Sequence, residues 1–229
     1  MALDFAAQIH ALSGFNADGT DNTETEDAFN ESAAQWMTNG AKEVINILSK
    51  NPEYIDLMTS QNVLNDTNGV TLALSNVKLT NVVLSDGTRF QACRQIPASM
   101  RGRADDIEDL MNYGTNTDPV FWIKSGVLEV FPTPTDSNPA HVEAISYPTF
   151  VVSGDGDYDI TVKNSIPSFP DEAENLVVLY AAIKATEYMM LAEEDQEVYA
   201  PQLATLKQDY QQGVTSLGGG GGEQPRGGR

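Results

Sequence analysis

The sequence predicts an α+β fold: a helical bundle formed by the N- and C-terminal segments, with a small antiparallel β domain inserted between them. Apolar residues recur at helical spacing near both ends, at Ala33, Met37, Ala41, Val44, Ile45 and Leu48, and again at Leu176, Leu179, Tyr180, Ile183, Met190 and Leu191. Between these stretches lie alternating, β-branched runs punctuated by the turn dipeptides Asp86-Gly87 and Ser125-Gly126. Elements of like kind bury their apolar faces together, so the helical ends meet and the strands form an outgrowth. The expected boundaries are 1–65 with 166–217 for the bundle, 66–165 for the β domain and 218–229 for a flexible Gly-rich tail.

Taken in order, Phe5, Ile9 and Leu12 form a short stripe that predicts a first helix within 3–13. A Gly/Asn/Asp-rich loop over 14–22 follows, and Thr23 with Glu26 matches a capping box that opens the next helix. Asn51-Pro52 ends that helix and starts another, buried by Tyr54, Ile55 and Met58. Beyond 66 the period changes to two: Val77, Leu79 and Val83 run into Asp86-Gly87, and 89–93 return as a strand. Arg101-Gly102-Arg103 leads into a short helix over Ala104–Met111 with Ile107, Leu110 and Met111 inward.

A second hairpin spans 118–134, turning at Ser125-Gly126. A Pro-rich loop over 132–139 precedes a strand at His141–Tyr147, and Asp157–Val162 is a further candidate strand. Ser168 reads as the N-cap of the long C-terminal helix, with acidic residues in its first turn near the positive end of the dipole. Pro201 either kinks that helix or opens a last one carrying Leu203, Leu206 and Tyr210. The Gly run after Leu217 cannot repay its own ordering entropy.

The charge is the unusual quantity: 33 acidic against 13 basic side chains, a net −20 over 229 residues. Free nucleic acid is thereby an unsuitable partner, because phosphate binding needs clustered Lys and Arg. Cys93 is the single cysteine, which rules out an intrachain disulfide and a cysteine metal cluster and suits a small thiol on a strand. No apolar run approaches the ~18 residues that a membrane span requires. Met1–Phe5 lacks the basic start of a secretion signal, so synthesis in the cytoplasm is expected.

No cluster has the pattern of catalysis. His10 and His141 are the only histidines and fall in different regions, with no G-x-S-x-G elbow, P-loop or G-x-G-x-x-G opening. No catalytic residue, cofactor or metal is expected. Asp155, Asp157 and Asp159 resemble the start of a calcium loop, but Ile160 and Ile166 stand where Gly and Glu are required. Asp18 to Asp27 reads as charged surface. A small hydrolase using a carboxylate pair is the alternative from a different class.

Arg89, Arg94, Arg101 and Arg103 concentrate basic charge within fifteen positions of an acidic chain. They are candidates for docking an acidic neighbour, quite naturally another copy of the chain, or simply for solubility at a strand edge. Trp122, with Phe121 and Phe131, is either sheet core or an exposed anchor for a partner.

Three stretches together resemble the head-to-tail connector, or adaptor, proteins of tailed bacteriophages: 35–48 in the early helix, 127–134 with 141–148 in the middle, and 166–174 feeding Tyr180-Ala181-Ala182. The resemblance implies a bundle with an inserted β domain, assembled as a ring of commonly twelve copies beneath the portal at the neck of the virion. It implies that the ring extends the DNA channel and that the β insertion faces the next tail or neck protein; the acidic charge of such a ring would let DNA slide through without specific binding. Residues 215–229 would then be a portal-docking arm, or, the Gly run being plain for an anchor, the helix end at Tyr210–Leu217 would dock instead; the candidate contacts are Tyr210, Val214, Leu217, Arg226 and Arg229. A tail-completion or stopper protein of the same neck is the nearer alternative.

Overall fold

Helices at both ends of the chain and two small, largely antiparallel sheets between them make this an α+β protein. The structure, a computed structural model, describes residues 3–15, 26–152, 158–192 and 196–218. Two compact units emerge, Met1–Met58 with Tyr147–Arg229, and Thr59–Ser146.

In the helical unit, α1 (Phe5–Ser13) opens on Asp4, whose carboxylate accepts the Ala7 amide at 2.8 Å. It closes on Gly14 at φ +75°, a left-handed position suited to glycine. Helix α2 (Glu26–Leu48) buries Phe29, Ala33, Met37, Ala41, Val44, Ile45 and Leu48 along one face, as its spacing requires. Thr23 of the expected capping box lies outside the described residues. Helix α3 (Pro52–Met58) starts as predicted: the Asn51 side chain accepts the Glu53 amide at 3.1 Å and Pro52 takes the first position. Met58 is buried, while Tyr54 and Ile55 are half-buried.

The core element is α4 (Asp171–Ala192), which packs against α1, α2 and also α5 (Gln196–Gly218). It is not amphipathic: Ala173, Leu176, Val177, Val178, Leu179, Ala181, Ala182, Ile183, Ala185 and Met189 are all buried, so apolar side chains face every direction. Small residues set the spacing, and a Cβ on Gly40 of α2 would lie 2.9 Å from Tyr180 Cδ1. Leu191, expected inward, is exposed near the helix end. Ser168 is not the cap; it sits at φ +55° ahead of Phe169-Pro170, and the helix starts only at Asp171. Helix α5 opens at Gln196 and runs through Pro201.

The segment after 146 belongs with the helices. The Ala6 amide donates to the Ile160 carbonyl at 2.9 Å, the Phe150 amide donates to Thr38 Oγ1 at 3.0 Å, and the Phe5 and Phe150 rings meet edge-on. The second seam therefore falls at 146/147 rather than 165/166. The described part of the candidate strand at 157–162 makes one isolated bridge, Val151 to Asp159, and otherwise turns.

In the β unit, one sheet has the order β1-β8-β3-β4 and the other β2-β7-β6-β5. Their strands are β1 (Thr59–Leu64), β2 (Thr71–Ala73), β3 (Val77–Ser85), β4 (Phe90–Ala92), β5 (Arg94–Gln95), β6 (Val120–Lys124), β7 (Val127–Phe131) and β8 (Ala140–Ser146). Strand β1 shifts the first seam to 58/59 from the expected 65/66. It is an edge strand paired only with β8, and burying just Leu64 leaves it with no alternating signature. Both hairpins form, the second with its turn as predicted and the first with Gly87-Thr88 at its tip, closed by the Asp86 amide on the Arg89 carbonyl, rather than Asp86-Gly87. Asp86 accepts the Thr88 and Arg89 amides at 2.8 and 2.7 Å, and Ser125-Gly126 takes left-handed φ at both positions.

The register of β3 slips between Leu79 and Asn81, so the core-facing parity changes and Val82 and Leu84 are buried where Val83 is only half-buried. Leu64, Val82, Leu84, Phe121, Leu128, Val130, Ala140 and Val142 form the main core. Ile96, Ala104, Val120 and Trp122 form a second cluster.

Candidate functional site

The expected helix at Ala104–Met111 does not form, and this is the largest departure from the sequence reading. A 3-10 segment at Ala98–Arg103 is followed by successive three-residue turns, Asp106 N to Arg103 O, Asp109 N to Asp106 O and Asn112 N to Asp109 O. A stripe spaced for 3.6 residues per turn cannot face inward along such a path. The space beneath is already filled by Ile96, Ala104, Val120 and Trp122. Ile107, Leu110 and Met111 consequently stand 70%, 82% and 78% exposed, with Met100 nearby on the 3-10 segment at 39%.

Two of the four arginines hold this loop. The Arg94 guanidinium donates to the carbonyls of Met111 and Tyr113 and pairs with Asp118 at 3.0 Å. Arg103 pairs with Asp109 at 3.1 Å. Asp109 also accepts two bonds from Asn112, and that donation, with Arg103 second, holds its carboxyl below the usual range. Arg101 is exposed on the same 3-10 segment and donates to the Ala98 carbonyl. Arg89 sits at the other hairpin, exposed beside Asp86, and next to it Phe90 is 53% exposed with its ring 4.4 Å from His141. The contacts thus tie Arg94, Arg101 and Arg103 to one loop region and leave Arg89 on a separate strand pair.

Trp122 is corrected as an exposed anchor: it is 7% exposed, and its Nε1 donates to Glu129 across the hairpin at 3.0 Å. Its period-two position on β6 points it into the second cluster. Cys93 is half-buried against the main core, and desolvation pushes its thiol up to about 12.

The candidate docking residues on α5 fall into two groups. The Tyr210 hydroxyl donates to Glu43 of α2 at 2.8 Å, and its ring lies 6.1 Å from Tyr180 of α4. Burial, helped by Glu43, raises its phenol above the ordinary range. Tyr210 therefore fastens α5 to the bundle. Val214 is half-buried, and Leu217 lines a groove of about 530 Å³ with Leu12, Leu176 and Leu179, rimmed by Glu172 and Asp209. Helices α4 and α5 are further joined by Glu187, which pairs with Lys184 at 2.8 Å and Lys207 at 2.9 Å. Arg226 and Arg229 lie outside the described residues.

The remaining polar candidates have structural partners. His10 Nε2 is 2.9 Å from Asn30 Oδ1, within the ring cluster of Phe15 and Phe29. His141 Nδ1 is 3.0 Å from Gln61 Nε2. Asp159 is buried, and its Oδ1 accepts from the Thr161 amide and hydroxyl at 2.9 and 2.7 Å. Asp155, Asp157 and nearly all of the acidic stretch 18–27 lie outside the described residues. Among the described residues no three His, Cys, Asp or Glu side chains are grouped to hold a metal ion, and no helix is long and apolar enough to cross a membrane.

The family model for SU10 adaptor protein matches residues 7–228, which takes in both units. Comparison with curated proteins finds no match.

Proposed function

This chain belongs to the SU10 adaptor protein family, and on that premise we propose that it is the structural head-to-tail adaptor of a tailed phage. It assembles as a ring, of twelve copies, beneath the portal, extends the DNA channel and joins head to tail at the neck of the virion. The observation that carries this reading is the extent of the family match, which runs through the helical ends and the inserted β unit alike. The charge fits the role. A strongly acidic ring repels the DNA backbone, so DNA slides through without adhering.

Within this reading the end of α5, at Val214 and Leu217, together with Arg226 and Arg229, docks on the portal. Tyr210 holds α5 in place for that contact. Arg89 and Arg101 are the exposed basic residues available to neighbouring copies, and the β unit faces the next neck or tail protein.

Mixing the purified chain with isolated portal rings, followed by native mass measurement and cryo-imaging, tests the proposal. The expected result is one ring of this chain seated on each portal ring, lost on removal of residues 214–229. A chain that leaves portal rings unloaded at every concentration, or a bore lined with basic side chains, overturns it.

A further inference from the structure

Within the β unit, whose residues are all described, five large apolar side chains are exposed: Met100, Ile107, Leu110, Met111 and Phe90. Four of them belong to the 98–111 stretch and the fifth to the β3–β4 hairpin. The first place is net acidic: with Arg103 paired to Asp109, exposed Asp105, Asp106 and Glu108 outnumber exposed Arg101. At the second, exposed Arg89 adjoins Phe90, while the half-buried Asp86 is occupied by the Thr88 and Arg89 amides and the Gln91 side chain.

We propose that the 104–111 loop is an acid-rimmed apolar anchor that seats on the Arg89–Phe90 hairpin of a second copy of this chain. The inference rests on the self-assembly in the proposed function and names the surfaces that perform it. Three observations support it.

The loop is built to keep its shape, because Arg94 grips the Met111 and Tyr113 carbonyls and Arg103 grips Asp109. An apolar anchor fixed before contact loses less freedom on binding. Exposed apolar side chains gathered on a held loop mark a contact surface rather than scattered surface residues. Finally, copies of a chain at net −20 repel one another, so any contact between them needs local opposite charge. Arg89 and the acidic rim supply it. Because the two patches differ, the contact is head-to-tail and each copy can both give and receive it, which is the geometry that generates rings.

The test places a photo-crosslinking amino acid at position 110 of the full chain, where Leu110 is in solvent and the fold is undisturbed. Isotope-labelled and unlabelled copies are mixed, alone at high concentration and on portal rings. Crosslinks should join position 110 to residues 86–92 of a different copy. Arg89→Glu should lower their yield by about tenfold, and adding Asp105→Lys with Asp106→Lys should recover it to within about threefold.

Crosslinks that stay within one copy, or that map to another surface, overturn the contact, as does an unchanged yield with Arg89→Glu. If rings still form on the portal in those cases, the adaptor reading stands and only this interface is wrong. A chain that never multimerises sinks both.

Discussion

In the helical unit α4 packs against α1, α2 and α5; Glu187 ties it to Lys207 of α5, and Tyr210 ties α5 to Glu43 of α2. In the β unit two four-stranded sheets share a core, and a loop leaves Ile107, Leu110 and Met111 in water. Charge divides the same way. Residues 59–146 carry six basic and ten acidic side chains, and the rest of the chain carries seven and twenty-three. The helical unit is thus strongly acidic, with its exposed apolar residues scattered from Leu3 to Val198, whereas the β unit is only mildly acidic and gathers four of its five exposed large apolar residues between 100 and 111.

The sharpest way to break this contrast is to hollow one core and watch the other. Phe29 is fully buried, stacked on Phe15 with ring centroids 3.9 Å apart. Phe29→Ala should destabilise the helical unit by about 3–5 kcal/mol. Urea unfolding followed by far-ultraviolet circular dichroism reads this. In a Trp36→Phe background, Trp122 fluorescence reports the β unit, and its midpoint should stay put. A Trp122 midpoint that fell as far would mean that the two cores unfold as one.

Overpacking is the converse test. In Gly40→Val the added Cβ meets Tyr180, with Cδ1 at 2.9 Å and Cβ at 3.1 Å, and the ring root cannot swing away. A loss of about 2 kcal/mol, seen as a lower thermal midpoint of the helical signal, is expected.

In the β unit, Arg94→Met leaves the Met111 and Tyr113 carbonyls and Asp118 without their cation. About 2 kcal/mol of local stability should go, read as faster amide hydrogen exchange across 104–114 with the sheets still protected. Unchanged exchange would show that the loop keeps its shape without Arg94, removing the preorganisation argued for the anchor.

The smallest effect concerns Tyr210. Its folded pKa is raised above the unfolded value, so the stability it contributes is complete below about 10 and falls as pH climbs through the folded value. Tyr210→Phe should cost about 1 kcal/mol at neutral pH and flatten the alkaline limb of the stability curve. An alkaline limb as steep as in the parent chain would assign that titration to another tyrosine.

Some elements were legible because one local rule decided them. The α2 stripe from Ala33 to Leu48 and the hairpins signalled by Asp86-Gly87 and Ser125-Gly126 needed only spacing and backbone preference. Others depended on partners far along the chain. Strand β1 reads as polar because it pairs on a single edge, and the slip between Leu79 and Asn81 moves the core parity onto Val82 and Leu84. The 104–111 loop misled most. Its spacing of Ile107, Leu110 and Met111 fits a helix, while Arg94, drawn in from another strand, holds the carbonyls of a different path. The interleaved acids at 105, 106, 108 and 109 were the available sign that this face meets solvent.

By itself the sequence determined the α+β class, the helical ends, the two hairpins and the acidic balance, since each follows from local periodicity, turn chemistry or a count of charges. Only the tertiary structure decided that α4 is the enclosed axis of its unit, that Trp122 is core, that Tyr210 binds Glu43, and that the loop after Arg103 turns its apolar residues outward. Burial is a property of what neighbours leave vacant, and no residue carries that information in its own spacing.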